Sequence, residues 1–374
     1  MDGSKKGLDV ARLAPDYVRA IAAYVPGKPI AETARELGIA ESEILKMASN
    51  ENPLGSSPQA LAAIRGALDV LHYYPDGSGY ELKGILARKL GVAPECLVLG
   101  NGSNDVLELV ARAFLRRGDS AVYSRHAFLV YALAVQAVGA QGIEVPARAY
   151  AADVEAMTAA VRADTKVVFI ANPNNPTGTF TPWDRLRNLV EAVGSGTLLV
   201  IDEAYEEYLP DAMRSPTPAW VARHPNLVVT RTLSKAYGLA GLRVGYAIAD
   251  PAVAEVMNRV RQPFNVNHLA MVAACAALDD AEFIARSRAV NAAGLVQLRA
   301  GFERLGLESI PSFGNFITVR VGDAGRIYQA LLAEGVIVRP IAGYGMPEHL
   351  RVTVGLPEQN VRFLAALERA IGER

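Results

Sequence analysis

Short apolar runs alternate with amphipathic helical patterns from about residue 57 to residue 250, and no other feature restricts the fold of this chain more strongly. The runs are rich in β-branched residues and bounded by turn residues, which is typical of strands. In chain order they are CLVLG, SAVYS, GIEVP, KVVFIA, TLLVID, LVVTRT and RVGYAIA. Strands that are apolar on both sides belong to sheets covered by helices on both faces. The alternation therefore predicts an α/β fold with a mostly parallel sheet.

The pattern changes after residue 250. Two long helical patterns, NHLAMVAACAAL and DDAEFIARSRAVNAAGLVQLRAGFERLG, precede the β-like segments NFITVRV, GVIVRP and LRVTVG and a closing helix near EQNVRFLAALERAIG. These elements predict a smaller α+β domain. We expect four parts: an N-terminal arm at residues 1–20, a part of the small domain at 21–46, the large domain at 47–265 and the small C-terminal domain at 266–374.

Composition excludes several classes of protein. The net charge is −1 over 374 residues, so a basic surface for nucleic acid is not expected. The five histidines and two cysteines form no metal-binding spacing, and we expect no metal. The N-terminal segment lacks a continuous apolar region, so we do not expect it to be a secretory signal, and no apolar run is long enough to cross a membrane. We therefore expect a cytoplasmic protein that binds small molecules.

Polar motifs stand where four of the predicted strands end. They are GNGSND, NPNNPTG, DEAY and TLSK. Ligands of open α/β sheets bind outside the carboxyl ends of the strands, so these motifs are expected to meet in one site. The first motif places Gly102, Ser103 and Asn104 at a strand-to-helix turn, where free N–H groups and the helix dipole favour an anion. An ordinary glycine turn with Ser103 as N-cap is the alternative for this motif alone.

The next two motifs offer an amide and a carboxylate. Asn175 lies in a loop stiffened by prolines, which suits a fixed hydrogen-bonding position. Asp202 ends a strongly apolar run, where a carboxylate is costly unless a cation faces it. A helix N-cap is the alternative role for Asp202. Tyr205 follows three residues later and could present its hydroxyl to the same site, although a tyrosine is more often part of the core.

The fourth motif contains Lys235 in an apolar surrounding, and Arg243 follows eight residues later. A lysine is almost never fully buried unless it is paired or used in chemistry, and its pKa falls when it is desolvated. A lysine, a strand-end carboxylate, a fixed amide and an anion cradle together suit pyridoxal 5′-phosphate. Lys235 would bind the aldehyde and act as general base, and Asp202 would keep the ring nitrogen protonated.

The other ligands of that cofactor follow from the same arrangement. Asn175 and Tyr205 would hydrogen-bond the ring hydroxyl. The phosphate would lie at the helix N-terminus of Ser103 and Asn104, with further donors and charge from Thr232, Ser234 and Arg243.

These motifs resemble those of fold type I pyridoxal-phosphate aminotransferases. Further segments resemble the histidinol-phosphate aminotransferase family within that class, from about residue 24 to the end of the chain; they are YVPGKPI, ASNENPLGSSP, YYPDGSGYELK and RPIAGYGMPEHLRVTVG. The resemblance implies transamination of L-histidinol phosphate with 2-oxoglutarate in histidine biosynthesis, giving imidazole acetol phosphate and glutamate. It also implies a homodimer with shared active sites, in which Tyr74 reaches the partner's cofactor phosphate.

The resemblance assigns further residues. Phe128 corresponds to the ring that stacks on the cofactor, although its surrounding sequence SRHAFLVY departs from the commoner family pattern. The resemblance places a substrate-anion arginine at Arg351, and the residues near it are Arg339, Tyr24 and Asn52. An arginine fork fits either a phosphate or a carboxylate, so Arg351 and Arg339 could serve both substrates in turn.

Three alternatives remain at this point. Aminotransferases of phenylalanine and tyrosine carry nearly the same motifs. Pyridoxal-phosphate decarboxylases of phosphorylated amino acids share the scaffold. Aminotransferase-like domains also sense ligands in transcription regulators, but about 20 residues before YVPGKP leave no room for an ordinary helix-turn-helix unit.

Overall fold

A computed structural model describes residues 10–24 and 26–372 of the chain. Residues 1–9 of the predicted N-terminal arm lie outside the described residues, as do residues 25, 373 and 374. The strands are, in chain order, β1 (Leu45–Lys46), β2 (Leu97–Gly100), β3 (Ser120–Ser124), β4 (Gln141–Val145), β5 (Thr165–Ala171), β6 (Leu198–Asp202), β7 (Leu227–Thr232), β8 (Gly245–Ala249), β9 (Ser309–Ile310), β10 (Phe316–Arg320), β11 (Val336–Ile337), β12 (Arg339–Pro340) and β13 (His349–Thr353).

The helices alternate with these strands in the first two thirds of the chain and are longest in the last third. They are α1 (Asp16–Arg19), α2 (Ile30–Leu37), α3 (Pro58–Gly66), α4 (Tyr80–Leu90), α5 (Ser103–Phe114), α6 (Val130–Ala137), α7 (Val154–Ala159), α8 (Trp183–Ala192), α9 (Thr217–Val221), α10 (Pro251–Val260), α11 (His268–Asp279), α12 (Ala281–Arg304), α13 (Ala324–Ala333) and α14 (Pro357–Gly372).

A seven-stranded sheet in the order β2-β8-β7-β6-β5-β3-β4 is the centre of the molecule. All its neighbouring pairs are parallel except the two that involve β8. Alternate residues of β5 belong to different cores: Val168 and Ile170 pack on one face of the sheet, and Val167 and Phe169 on the other. Both faces are therefore buried beneath helices, and the predicted α/β fold with a mostly parallel sheet is confirmed.

A smaller antiparallel sheet in the order β12-β13-β10-β9 follows. Helices α12, α13 and α14 pack together with it around a separate apolar core. The segment GVIVRP, which we expected to be one β segment, divides between two sheets. Val336 and Ile337 pair in parallel with β1, whereas Arg339 and Pro340 pair with β13. The intervening Val338 is buried in the core. The four domain boundaries stay predictions.

The topology brings one edge of the large sheet to the site. Strands β2, β5, β6 and β7 run in the same direction, so their carboxyl ends lie at one edge. Strand β8 is antiparallel to its neighbours, and its amino end therefore lies at that same edge. This arrangement explains how Arg243, which precedes β8, comes close to residues that follow β2 and β7.

Candidate active site

A cavity of about 210 Å³ opens at this edge of the large sheet, where the small sheet faces it. Lys235 lies among its lining residues together with most of the predicted site. The predicted residues that line the cavity are Tyr24, Ser103, Asn104, Phe128, Asn175, Asp202, Tyr205, Thr232, Ser234, Lys235, Arg243, Arg339 and Arg351. Gly102, Tyr74 and Asn52 are the predicted residues that do not line it.

The anion cradle is built at the start of α5. Gly102 precedes this helix with φ +84°, a conformation that glycine adopts readily, and none of the described side chains caps the helix. A Cβ atom at Gly102 would lie 2.3 Å from Nη2 of Arg243, so only glycine lets the guanidinium approach. Nη1 of Arg243 also donates to Ser234 Oγ at 3.4 Å. Gly102 therefore contributes to the anion cradle by leaving room for Arg243, although it does not line the cavity.

Lys235 is a partly exposed lysine, and its Nζ lies 3.2 Å from the carbonyl oxygen of Ser49. The pKa of this amine is lowered to about 8: burial is the largest cause, the positive charges of Arg351 and Arg243 add to it, and the charges of Glu51 and Asp202 oppose it. A substantial neutral fraction near neutral pH suits a nucleophile and a general base.

Asp202 is buried at the end of β6. Burial raises the pKa of its carboxyl, and a hydrogen bond from Tyr131 opposes that change. The Tyr131 hydroxyl donates to Oδ2 at 2.8 Å, and the amide of Ala204 donates to Oδ1 at 3.2 Å. Among the described residues, the direct hydrogen-bond partner of this carboxylate is a fully buried tyrosine, and Lys235 adds a weaker attraction.

Tyr131 is a site residue that the sequence analysis missed. Its ring stacks on Phe169 with centroids 5.1 Å apart, which fixes the hydroxyl against Asp202. The sequence offers one signal: Tyr131 lies three residues after Phe128, and this spacing places two side chains on the same side of a helical turn. A tyrosine in an apolar segment does not reveal its hydrogen-bond partner.

Arg351 is held on β13 by two hydrogen bonds. Nη1 donates to Oδ1 of Asn175 at 2.6 Å, and Nη2 donates to the carbonyl oxygen of Ala48 at 2.7 Å. Its guanidinium carbon lies 5.4 Å from the centre of the Phe316 ring. Nε of Arg351 is buried and has no hydrogen-bond partner among the described residues. The side chain is fixed in position, with donor capacity still available.

Tyr205 receives a hydrogen bond from Asn50, whose Nδ2 lies 2.8 Å from the tyrosine oxygen. Burial raises the pKa of the Tyr205 hydroxyl to about 12. Asn50 lines the cavity, and so does Tyr344; the sequence analysis singled out neither of them. Arg339 and Tyr24, which also line the cavity, contact each other: the guanidinium carbon of Arg339 lies 5.5 Å from the centre of the Tyr24 ring.

Two predicted residues lie elsewhere. Nδ2 of Asn52 donates to the carbonyl oxygen of Ala236 and to Ser287 Oγ, both at 2.8 Å. Asn52 therefore supports the backbone next to Lys235 from outside the cavity. Tyr74 is 82% exposed and stacks on Phe264 with centroids 4.8 Å apart.

The described residues contain neither a cluster that could hold a metal ion nor a helix that could span a membrane. Within residues 10–24 and 26–372, no group of three or more histidine, cysteine or acidic side chains could hold a metal ion. Over the same part of the chain, none of the helices has both the length and the apolar character that a membrane span needs.

The covered sheet and the lysine-bearing cavity at its edge define an enzyme of the aminotransferase type. The chain belongs to the family of class I and II aminotransferases, whose model matches residues 42–367. This finding confirms the predicted class.

Within this family, the chain is similar to proteins of one kind, named histidinol-phosphate aminotransferases. Histidinol-phosphate aminotransferase 1 of Thiobacillus denitrificans is 60% identical over 96% of this chain and 93% of its own length. Histidinol-phosphate aminotransferase 2 of Pseudomonas aeruginosa is 58% identical over 97% of this chain and 99% of its own. A crystal structure of histidinol-phosphate aminotransferase from Sinorhizobium meliloti, in complex with pyridoxal 5′-phosphate, is 29% identical with a TM-score of 0.87. It covers 96% of this chain and 97% of its own.

Proposed function

We propose that this enzyme transfers the amino group of L-histidinol phosphate to 2-oxoglutarate, giving imidazole acetol phosphate and glutamate in histidine biosynthesis. One observation carries the proposal: Lys235 shares its cavity with two separate arginine groups. Arg243 lies at the anion cradle and Arg351 on the small sheet, and the charges of both lower the pKa of the lysine amine. A site with two cationic ends suits an anionic cofactor at one end and an anionic substrate at the other.

The relatives support the choice of substrate. Those quoted above are named histidinol-phosphate aminotransferases, with 58–60% identity over nearly the whole chain. Histidinol phosphate carries a phosphate and no carboxylate, whereas glutamate carries two carboxylates. We assign Arg351 and Arg339 to these anionic groups, because a guanidinium pairs with two oxygens of either. Tyr24 forms part of the same end of the cavity.

The residues present fit pyridoxal 5′-phosphate. The cradle behind Ser103 and Asn104 is open to an anion because Gly102 lets Arg243 approach, and Thr232 and Ser234 add hydroxyls. Asp202 offers a carboxyl group to the cavity at the end of β6, and Phe128 offers a ring. The similar enzyme from Sinorhizobium meliloti contains this cofactor.

When bound, the cofactor supplies an aldehyde that condenses with amines and a protonated ring that withdraws electrons from the substrate carbon. Lys235 Nζ removes the proton from that carbon and later returns one, which its lowered pKa favours. The Asp202 carboxylate holds the proton on the ring nitrogen. Asn175 and Tyr205 orient the ring hydroxyl, and Arg351 holds the substrate anion.

We further propose a homodimer in which Tyr74 completes the partner's phosphate site. Exposed aromatic and aliphatic side chains around Tyr74 support this proposal, since apolar patches of this kind mark interfaces. They are Leu68, Val70, Leu71, Tyr73, Tyr80 and Phe264. We assign the enzyme to the cytoplasm, because its proposed substrate is a phosphorylated metabolite that does not cross membranes freely.

A single-turnover absorbance experiment tests the function. The cofactor-loaded protein is mixed separately with L-histidinol phosphate and with L-phenylalanine, without an oxo acid. We expect histidinol phosphate alone to convert the cofactor rapidly to its pyridoxamine form. Comparable or faster conversion by phenylalanine would favour an aromatic aminotransferase. Release of carbon dioxide from a phosphorylated amino acid would favour a decarboxylase.

A further inference from the structure

His126 has an uncommon backbone conformation close to the cavity. Its φ is +58°, in the left-handed region that few residues other than glycine adopt, although histidine, asparagine and aspartate are enriched there. The residue lies in the turn after β3, two positions before Phe128, which lines the cavity. Such a conformation is energetically unfavourable and persists where the surroundings hold it.

Two contacts hold His126 to different parts of the chain. Its ring Nδ1 lies 2.6 Å from the carbonyl oxygen of Tyr344, in the loop between β12 and β13. Its own carbonyl oxygen accepts from Nδ2 of Asn174 at 2.9 Å, and Asn174 directly precedes Asn175. His126 therefore connects the turn after β3 with the loop after β5 and with a loop of the small sheet.

The loop on the small-sheet side presents Tyr344 to the cavity. This side chain is only 6% exposed and lines the cavity together with Arg339 and Arg351. Burial raises the pKa of its hydroxyl, whereas the charges of Arg351 and Arg339 lower it, so the phenol lies among the proposed substrate groups. The Tyr344 amide donates to the carbonyl oxygen of Ile341 within its own loop, at 3.0 Å.

The ring of His126 also packs against the next residue of that loop. A Cβ atom at Gly345 would lie 3.5 Å from Cε1 of the imidazole, an ordinary van der Waals distance. Gly345 itself has φ +73°. His126 and Gly345, both with a left-handed backbone, therefore lie next to each other. The hydrogen bond from His126 is made to the carbonyl oxygen of Tyr344, the residue before Gly345.

We propose that His126 is a positioning residue for substrate binding, which holds Tyr344 in the wall of the cavity through the hydrogen bond from its ring to the Tyr344 carbonyl. Because a carbonyl oxygen only accepts, Nδ1 of His126 carries the hydrogen in this contact. The inference rests on the proposed function for the identity of the substrate. The hold on the loop itself does not depend on which substrate binds.

Three substitutions separate the donor from the backbone effect. His126→Asn keeps an N–H donor on the atom next to Cγ and tolerates a left-handed backbone. His126→Asp has the same shape and tolerance but presents only oxygens. His126→Gly has no side chain and adopts the conformation freely. We expect the Asn variant to stay within about twofold of the wild type in KM for histidinol phosphate. We expect the Asp and Gly variants to raise this KM by about fivefold, the loss of one hydrogen bond, with kcat nearly unchanged.

Hydrogen exchange supplies a measurement that does not depend on activity. The amides of Tyr344 and Gly345 should exchange about tenfold faster in the Asp and Gly variants than in the Asn variant, because their loop opens more easily. The melting temperature serves as the control for global unfolding. Equal exchange and equal KM in all three variants would refute the proposal, as would a defect confined to the Gly variant, which would indicate backbone freedom alone.

The same experiment separates the two proposals. If the wild type fails to turn over histidinol phosphate, the proposed function fails, yet the exchange comparison still tests the hold on Tyr344. If the wild type is active and the variants do not differ, the role of His126 fails alone.

Discussion

The two ends of the cavity are built in different ways. At the cofactor end, Gly102, Ser234 and Arg243 all come from the edge of one sheet, and each lies two positions from the end of a strand. At the substrate end, Arg351 comes from the small sheet and depends on Asn175 and Ala48 for its position. The first end follows from local motifs. The second exists only after distant segments meet, so its residues are harder to predict and easier to disturb separately.

Lys235 lines the same cavity as the arginines of both ends, and its replacement should have the largest effect on activity. We expect Lys235→Ala to lower kcat by more than about 10³-fold, since it removes both the nucleophile and the general base. Some cofactor should remain bound, because the cradle and Asp202 are intact. Turnover assays and the absorbance of the dialysed protein measure the two effects. Activity near that of the wild type would refute the role of Lys235.

The arginines at the two ends should then give opposite results. Arg351→Ala removes hydrogen bonds to Asn175 and Ala48 together with the proposed substrate partner. We expect KM for histidinol phosphate to rise by about 10–100-fold, the value of one charge-assisted hydrogen bond, with little change in cofactor affinity. Steady-state kinetics at saturating cofactor measure the first quantity, and fluorescence titration of the cofactor-free protein measures the second.

Arg243→Ala is the matched variant at the cofactor end. We expect the dissociation constant for pyridoxal 5′-phosphate to rise by about 10–100-fold, while KM at saturating cofactor changes little. If both arginine variants altered the same constant, the division of the cavity into two ends would be wrong.

The pH dependence of Lys235 sharpens the comparison further. The neutral amine of Lys235 is the reactive form. The rate at which a small amine-reactive electrophile modifies it in the cofactor-free protein should therefore rise with pH and level off above about 8. Arg351 lowers this pKa more than Arg243 does. Arg351→Ala should therefore move the midpoint to higher pH by more than Arg243→Ala does. Reaction rates followed from pH 6 to 10 test this order, and the reverse order would contradict it.

Much of the large sheet and of the cofactor end can be predicted from the sequence, because both depend on local patterns. Runs such as KVVFIA and TLLVID are strands in the structure, and the polar motifs after them do meet at one edge. The segment GVIVRP shows the limit: its pattern indicates β structure, but pairing with β1 on one side and β13 on the other depends on tertiary contacts.

The substrate end shows the same limit at the level of single residues. The resemblance assigns Asn52 to the substrate, yet Asn50 lines the cavity, and the two residues are separated by a single position. The side-chain amide of Asn52 donates its hydrogen bonds to Ala236 and Ser287, which lie far along the chain. Tyr344 was missed for a similar reason, since only the contact between its loop and His126 shows how the side chain is held. Hydrogen bonds between distant segments leave no periodic signal in a sequence.

Tyr131 provides the smallest and most selective test. Tyr131→Phe keeps the ring that stacks on Phe169 and removes the donor to Asp202. Because that hydrogen bond lowers the pKa of the Asp202 carboxyl, its loss should raise the pKa and reduce the ionised fraction at low pH. A less ionised Asp202 holds a protonated ring nitrogen less well. We expect cofactor affinity to fall about fivefold, the value of one hydrogen bond, and to fall most at the acidic end of the range.

The measurement is the dissociation constant for pyridoxal 5′-phosphate from pH 6 to 8, in the wild type and the variant. Tyr123→Phe is the matched control, because Tyr123, within β3, packs against the same apolar core as Tyr131 but has no contact with Asp202 among the described hydrogen bonds. Equal affinities of Tyr131→Phe and the wild type at every pH would mean that Asp202 needs no support from its buried neighbour. A loss confined to Tyr131→Phe would extend the cofactor end of the cavity one layer deeper, into the core where α6 packs against β5.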